Sequence, residues 1–252
     1  MRPGFAAGRH SLDTKSRPLY DSETLPRCSP SVFEESHGLV LHRDGIWVRP
    51  QTYDKQIVIE SRQYLLLDPG KDDVLLDIGA NIGATSLRFL AAGVRQVIAV
   101  EPESENYRIL RQNLSGYSDR SLSIRAAVAS GGGVRRLWLN RGRNKGMHSL
   151  VQQRKRHPVP VPTVSLEPLL LEHRPTLVKI DIEGGEYEIA ASLAALPVSV
   201  RGLALELHLR LDAWRYDEAP ALLREIRGQG FRELRPPRLG SNNPCTLGIW
   251  LR

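Results

Sequence analysis

The chain has 252 residues, 41% hydrophobic and 25% charged, with a formal net charge of +7. That is ordinary for a soluble globular protein and enough for one domain with an appendage, so a chain too small to bury its core unaided is excluded. No apolar run reaches bilayer length, the first residues lack a signal-peptide centre, and Cys28 and Cys245 lie far apart without metal spacing, so no membrane span, disulfide framework or zinc site is expected, and a cytoplasmic protein is.

Residues 1–37 are polar and punctuated by Pro3, Pro18, Pro26 and Pro30, and are expected to form a flexible arm. From Leu39, two short runs flank Asp44-Gly45 and predict a β-hairpin. The following stretch, TYDKQIVIESRQYLLLDPGKDD, reads as a short helix or an extended lead-in that ends at the Asp68-Pro69-Gly70 turn. Hairpin and lead-in make an N-terminal extension over 38–72. From it Tyr53, Glu60 and Tyr64 face either a ligand or the solvent. The main domain is expected over 73–252.

Val74 to Leu90 organises that domain. An apolar strand runs into Asp77, then a turn containing Gly79, Ala80, Asn81 and Gly83, then a helix. Glycine allows positive φ and a close ligand approach, Asn enters the left-handed region cheaply, and the helix start offers unpaired N–H groups. The turn is G-x-x-x-G, not the G-x-G-x-x-G that holds a dinucleotide pyrophosphate. An acid at the strand end suits a ligand with cationic and hydroxyl groups, which moves the reading from NAD toward S-adenosylmethionine. QVIAVEP is a second buried strand, and Glu101 at its end is placed to accept both hydroxyls of a ribose. Pro102 stops that strand. Residues 104–114 have helical spacing, with Ser104 as N-cap.

SLSIRAAVAS is a third strand ending near Ala126 and Ala127, where small side chains leave room for an adenine ring. Residues 131–162 read as an irregular insertion, in which His148 and Ser149 belong either to the site or to a solvated loop. In TLVKIDIEGGEYEIA, alternation puts Val178, Ile180 and Ile182 on one strand face and Lys179, Asp181 and Glu183 on the other. Three charges on one face of a central strand need pairing or a ligand. Lys179 is expected to pair with an acid, leaving Asp181 and Glu183 to face cofactor and substrate. Gly184 and Gly185 make a tight exit, and Glu186 opens a helix. RGLALELHLRLD is a fifth strand with Glu206 and His208 on one face. There His208 is a general base or a structural histidine, with Glu206 placed to hold its tautomer. Trp214 and Tyr216 follow in a loop suited to cover a substrate. APALLREIRGQG is a helix ended by glycine, and FRELRPP and CTLGIWLR are an antiparallel pair at the sheet edge.

The segments LLDIGANIGATS, VEPESENYRILRQNL, VPTVSLEPLL, LVKIDIEGGEYEIA and LALELH, in this order, resemble the FkbM-type S-adenosylmethionine-dependent methyltransferases. The resemblance covers about Tyr53 to His208. It implies an α/β, Rossmann-like class I methyltransferase fold, a seven-stranded mainly parallel sheet with an antiparallel last strand. The activity it implies is methyl transfer to a hydroxyl of a natural product, sugar or nucleoside, with S-adenosyl-L-homocysteine as the second product. By motif position, Asp77, Gly79, Ala80, Asn81 and Gly83 look like the methionine-end cradle. Glu101 looks like the ribose acid with Pro102 and Asn106 beside it, Ala127 like the adenine rim, and Asp181 and Glu183 like acids at the reacting end. His208 matches the family's strand-five histidine. Glu60 joins the candidate cofactor set. His148, Glu206, Trp214 and Tyr216 make the candidate substrate set. His208, Glu183 and Asp181 are the candidate catalytic residues. The segment 131–160 departs from the family pattern.

Three alternatives stand beside this reading. Asp181, Glu183 and His208 together offer a site for Mg²⁺ or another divalent ion that activates the hydroxyl, although a metal is not the favoured expectation. The net charge raises nucleic-acid methylation or binding. Against it, the basic residues are spread along the chain apart from Arg154, Lys155 and Arg156, as GC-rich coding produces, and no zinc ribbon or RNA-binding domain is recognisable. An NAD-dependent oxidoreductase shares the strand–turn–helix and the ribose acid but has no use for the KIDIEGGE segment. The expected partner is a small hydroxylated molecule, with neither nucleic acid nor membrane.

Overall fold

A computed structural model of the chain describes residues 38–152, 156–209, 218–239 and 244–252. The arm over 1–37, Arg154, Lys155, Trp214 and Tyr216 lie outside the described residues. The predicted hairpin is present: β1 (Val40–Leu41) and β2 (Trp47–Val48) pair antiparallel, with Leu41 opposite Trp47. The lead-in is helical rather than extended. Helix α1 (Asp54–Glu60) runs into a 3-10 turn over Ser61–Leu67, which ends on Asp68 in the left-handed conformation.

The chain then alternates strand and helix: β3 (Val74–Ile78), α2 (Ala84–Ala91), β4 (Gln96–Val100), α3 (Ser104–Asn113) and β5 (Ser121–Ile124). A three-stranded excursion follows, β6 (Ala127–Ala129), β7 (Gly133–Leu139) and β8 (His157–Ser165). The alternation resumes with α4 (Leu166–His173), β9 (Leu177–Ile180), α5 (Ala190–Leu193), β10 (Gly202–His208) and α6 (Ala219–Gly228), and closes on β11 (Arg232–Arg235) and β12 (Cys245–Leu251).

The main sheet has the order β11-β12-β10-β9-β3-β4-β5. Strands β5, β4, β3, β9 and β10 are parallel, and β12 is antiparallel to both of its neighbours. This is the expected α/β class, a seven-stranded mainly parallel sheet with an antiparallel last strand. Its central strands are mostly apolar because helices cover both faces, with Asp77 in β3, Lys179 in β9 and Glu206 and His208 in β10 as the charged or titratable exceptions. Leu76, Ile78, Ile98, Ile180 and Leu205 pack with α4, α5 and α6 on one side. Leu75, Val97, Ala99 and Ile249 pack with α1, α2 and α3 on the other, where Leu39, Val48, Tyr64 and Leu67 of the N-terminal extension join the same core. Strand order reverses between β3 and β9, so a crevice opens at their carboxyl ends, where ligands bind in such sheets.

Four local expectations are corrected. Glu103, not Ser104, caps α3, its side chain accepting from the Asn106 N–H at 2.8 Å. The third strand is two strands in different sheets, because the chain leaves β5 at Ile124 and re-enters pairing at Ala127 beside β8. The stretch 131–162 is mostly not irregular: β7 and β8 form an antiparallel ribbon with Pro158, Pro160 and Pro162 opposite Trp138, Arg136 and Val134. Prolines two apart all present their missing N–H to one edge, so the bonds to β7 fall on the valines between them. Finally, β9 ends at Ile180, so strand alternation does not carry Glu183 to the site. A left-handed turn does, with φ 53° at Glu183 and 97° at Gly184.

Candidate active site

A cavity of about 820 Å³ occupies the crevice. Its floor is the carboxyl end of β3, β4, β9 and β10. Glu60 and Tyr64 of the N-terminal extension and Asn144 to His148 of the β7–β8 connection form its walls.

At one end stands Glu101, 5% exposed. Its two carboxylate oxygens accept backbone N–H groups from Asn81 and Glu103, each at 2.9 Å. Burial lifts its pKa to about 7, even though these N–H groups pull it down. The Asn106 side chain also hydrogen-bonds it, and since a carboxylate has about four lone-pair sites, capacity remains for a ligand. The Asn81 side-chain oxygen is buried and without a hydrogen-bond partner among the described residues. An orphaned acceptor in a cavity is a position that a ligand donor fills. Gly79, at φ 74°, could not carry a side chain: a Cβ there would lie 1.9 Å from the Asp181 carbonyl oxygen. Pro102, Ala127 and His148 close this end. His148 is a neutral imidazole, its pKa brought down to about 4 mainly by burial, and its Nδ1 accepts the Asn140 N–H at 3.0 Å.

The other end is crowded with acid. His208, the last residue of β10, is 8% exposed. Its Nδ1 meets Glu186 Oε1 at 3.0 Å, while Nε2 lies 3.5 Å from Glu183 Oε2 and 3.9 Å from Asp181 Oδ1. Glu186 is fully buried and also accepts the N–H groups of Ile182 and Gly184, both at 3.0 Å, so one carboxylate fixes both the turn and the ring. Ser149 Oγ donates to the Glu183 carbonyl at 2.5 Å, tying the β7–β8 connection to the same turn. Burial opposes charge on His208, but Glu186, Glu183 and Asp181 outweigh it and hold the imidazole protonated well above its ordinary range. Burial raises Glu183 to about 7, and raises Glu206 as well. Asp181, Glu183, Glu186 and Glu206 thus face a single imidazole. Lys179 redresses the balance only in part: Asp77 engages it at 3.3 Å, it donates to the Gly79 carbonyl at 2.7 Å, and it lies 3.9 Å from Asp181 Oδ2. Excess buried negative charge favours a cation.

Most candidates line the cavity: Glu60, Gly79, Ala80, Asn81, Glu101 and Pro102 at one end, and Asp181, Glu183, Glu206 and His208 at the other, with Ala127 and His148 on the wall. Asp77, Gly83 and Asn106 do not. Asp77 is fully buried behind the turn, accepting Ser86 Oγ at 2.7 Å and holding Lys179. Gly83 is needed for packing, since a Cβ there would sit 2.6 Å from Leu110. Asn106 links Arg49 to the Lys145 carbonyl in the wall. Tyr53 is 52% exposed and takes no part. Glu206 does not hold the His208 tautomer; Glu186 does, and Glu206 accepts Tyr64 Oη at 3.2 Å instead. Sequence reasoning missed Glu186, whose available signal is an acid two residues beyond a Gly at a helix start, where N–H groups need an acceptor. It also missed Cys245 and the rim arginines Arg235 and Arg238, for which no sequence signal exists.

The residues present fit a cationic, hydroxyl-bearing ligand. They offer an orphaned acceptor, an acid with spare lone pairs and a cation-seeking end, all in one cavity. A hexuronic acid methyltransferase, AglP, of Haloferax volcanii is 25% identical over 172 residues, 67% of this chain and 69% of that protein. The crystal structure of Methyltransferase FkbM from Methylobacillus flagellatus KT is 16% identical with a TM-score of 0.46; the match covers 72% of this chain but only 44% of that one. A precorrin-6y C5,15-methyltransferase from Geobacter metallireducens GS-15 is 14% identical with a TM-score of 0.46, over 81% of this chain and 92% of that one. The sequence model of the methyltransferase FkbM domain matches residues 77–233, well over half of the chain, from the acid of β3 to β11, so the protein belongs to the FkbM methyltransferase family.

Proposed function

We propose that the chain transfers a methyl group from S-adenosyl-L-methionine to a hydroxyl oxygen of a small molecule. The observation that carries this is the pairing, within one cavity, of Glu101 with spare lone pairs and an imidazole surrounded by carboxylates. The cofactor supplies, when bound, an electrophilic methyl on a sulfonium cation together with an adenosine. Glu101 receives the ribose hydroxyls, Asn81 Oδ1 receives a donor, and Asp181 and Glu183 offset positive charge. Positive charge beside those two acids weakens their hold on the His208 proton, which frees Nε2 to accept the proton of the acceptor hydroxyl, with Glu183 as second acceptor. Glu186 keeps the ring aimed throughout. Positioning of the acceptor supplies up to about 7–11 kcal/mol in good cases, and a general base about 10²–10⁴ in rate.

The relative named as a hexuronic acid methyltransferase makes acidic sugars the first acceptors to test. Arg235 and Arg238, exposed on the cavity rim, suit an anionic group. The decisive experiment is calorimetric titration with S-adenosylmethionine, S-adenosylhomocysteine and NAD, followed by screening of hydroxylated acceptors. Saturable binding of both adenosyl compounds without NAD is expected. NAD binding without adenosyl binding overturns the proposal in favour of an oxidoreductase.

A further inference from the structure

The two edges of the acid-rich end differ in chemistry. Strands β10 and β12 pair antiparallel with His208 directly opposite Cys245. Directly opposite residues share a face, with Cβ atoms about 4.5–5.5 Å apart, and Glu206, two residues earlier, shares it too. The Cys245 thiol hydrogen-bonds the Glu206 carboxylate, and all three side chains line the cavity. One ligand atom from each of Glu206, His208 and Cys245 lies within 4.8 Å of the other two.

We propose that Glu206, His208 and Cys245 form a binding site for a thiophilic divalent cation of the zinc class. Sulfur, imidazole nitrogen and a carboxylate are the donors that zinc takes, three from the protein and a fourth position left open, here toward the cavity. A tetrahedral zinc with ligands at about 2.0–2.3 Å needs donor atoms about 3.3–3.8 Å apart, so from within 4.8 Å of one another these atoms would have little distance left to close. A second observation points the same way. The buried Glu186 carboxylate holds His208 Nδ1 at 3.0 Å and thereby turns Nε2 into the cavity. Carboxylate–histidine–metal relays use this arrangement to orient a metal-binding ring. The excess of carboxylates supplies the attraction. Asp181, Glu183 and His208 also converge, but two of those donors are hard carboxylates on the turn beyond β9, whereas Glu206, His208 and Cys245 sit on paired strands. Binding releases the thiol proton, and any proton on His208, to solvent, since thiolate and neutral imidazole are the ligands. A cation there occupies the nitrogen that the proposed methyl transfer uses as its proton acceptor. Sequence spacing hides the site because its ligands meet across a strand pair.

Metal binding is read without reference to methyl transfer, so its failure and that of the proposed function are separable. The full chain, freed of metal, is titrated with Cd²⁺ and with Co²⁺. One equivalent should produce thiolate-to-metal charge-transfer absorption and, for Co²⁺, the visible bands of a tetrahedral site, displaced by one equivalent of Zn²⁺ and not by excess Mg²⁺. The charge-transfer band should vanish in Cys245→Ser and persist in Cys28→Ser, and His208→Ala should weaken Cd²⁺ at least tenfold. Absence of the bands in the native protein, their persistence in Cys245→Ser, or an unchanged affinity in His208→Ala overturns the proposal.

Discussion

Glu101 is a carboxyl that keeps its proton to about pH 7, against 4.5 for an ordinary glutamate, because burial costs the charged form more than two N–H bonds return. The sign of its linkage follows. Between about pH 4.5 and 7 the folded chain retains a proton that the unfolded chain has lost, so this site makes the empty protein less stable as pH rises through that window. On the proposed reading, ribose hydroxyls would donate to the ionised form, so binding would expel the proton. Affinity for S-adenosylhomocysteine should therefore rise from pH 5.5 to about 7 and level off above, with proton release seen as a buffer-dependent heat; in Glu101→Gln the affinity should be lower and the slope absent. A slope that survives in Glu101→Gln removes Glu101 from the ribose end. His208 should separate from it kinetically. His208→Ala should lower kcat by about 10²–10⁴ and leave S-adenosylhomocysteine affinity within a few-fold, and an unchanged kcat rejects the base assignment. At this scale the sequence was informative where an acid ends a strand, as at Glu101 and Asp181. It read Glu186 only as a helix opener, whereas the work of that residue is to hold a ring on a different strand. It misplaced Asp77 because a strand-end acid and a buried partner for Lys179 look alike in one dimension.

Elements fix which glycines matter for the site and which for the core. A Cβ on Gly79 would meet the Asp181 carbonyl at 1.9 Å with φ at 74°, where neither backbone can yield. A Cβ on Gly248 in β12 would meet the Trp250 ring at 2.0 Å, inside the sheet packing and away from the cavity. Gly248→Ala should lower unfolding free energy by about 1–3 kcal/mol, as overpacking does, while S-adenosylhomocysteine binding at low temperature stays near normal. Gly79→Ala should lose that binding even under conditions where circular dichroism reports a folded chain. Equal binding losses in the two variants, measured by urea titration beside calorimetry, contradict the division. Strands β3, β4, β9 and β10 were legible because a strand covered on both faces is mostly apolar, and only Asp77, Lys179, Glu206 and His208 interrupt these four with a charged or titratable group. The Asp44-Gly45 hairpin was legible because its turn chemistry is local. The β7–β8 ribbon was not, since Val-Pro alternation reads as a breaker until a partner shows that the prolines sit on the unpaired edge.

Across the whole molecule, the cavity wall is held by a buried relay that crosses three separate parts of the chain. Asp54 at the start of α1 is fully buried and receives the Arg49 N–H, Nε and Nη2 at 2.9, 2.9 and 3.0 Å. The same Nη2 donates to Asn106 Oδ1 on α3 at 2.8 Å, and Asn106 Nδ2 donates to the Lys145 carbonyl at 3.0 Å. Asn113, about two turns beyond Asn106 on α3, grips the hairpin through both N–H and C=O of Trp47 and the turn after β3 through Ile82 O. The N-terminal extension, α3 and the β7–β8 connection are therefore joined through Arg49 and Asn106. Without Asp54, Arg49 keeps, among the described residues, only the half-exposed carboxylate of Glu105, 3.4 Å from its Nη1; stranding a buried charge altogether typically costs about 3–5 kcal/mol, and Glu105 offsets part of that. Asp54→Ala should cost stability on that scale, whereas Asp54→Ala combined with Arg49→Met should recover much of it, because the apolar pair removes the stranded charge. Cofactor binding divides the two cases. The double variant, stable but without the Arg49–Asn106 hydrogen bond, should still bind S-adenosylhomocysteine several-fold more weakly than the native chain, since Asn106 stands beside Glu101 and braces the wall. Native affinity in the double variant means the relay serves stability alone; loss of folding in it means the hydrogen bonds, not the charge balance, carry the N-terminal extension.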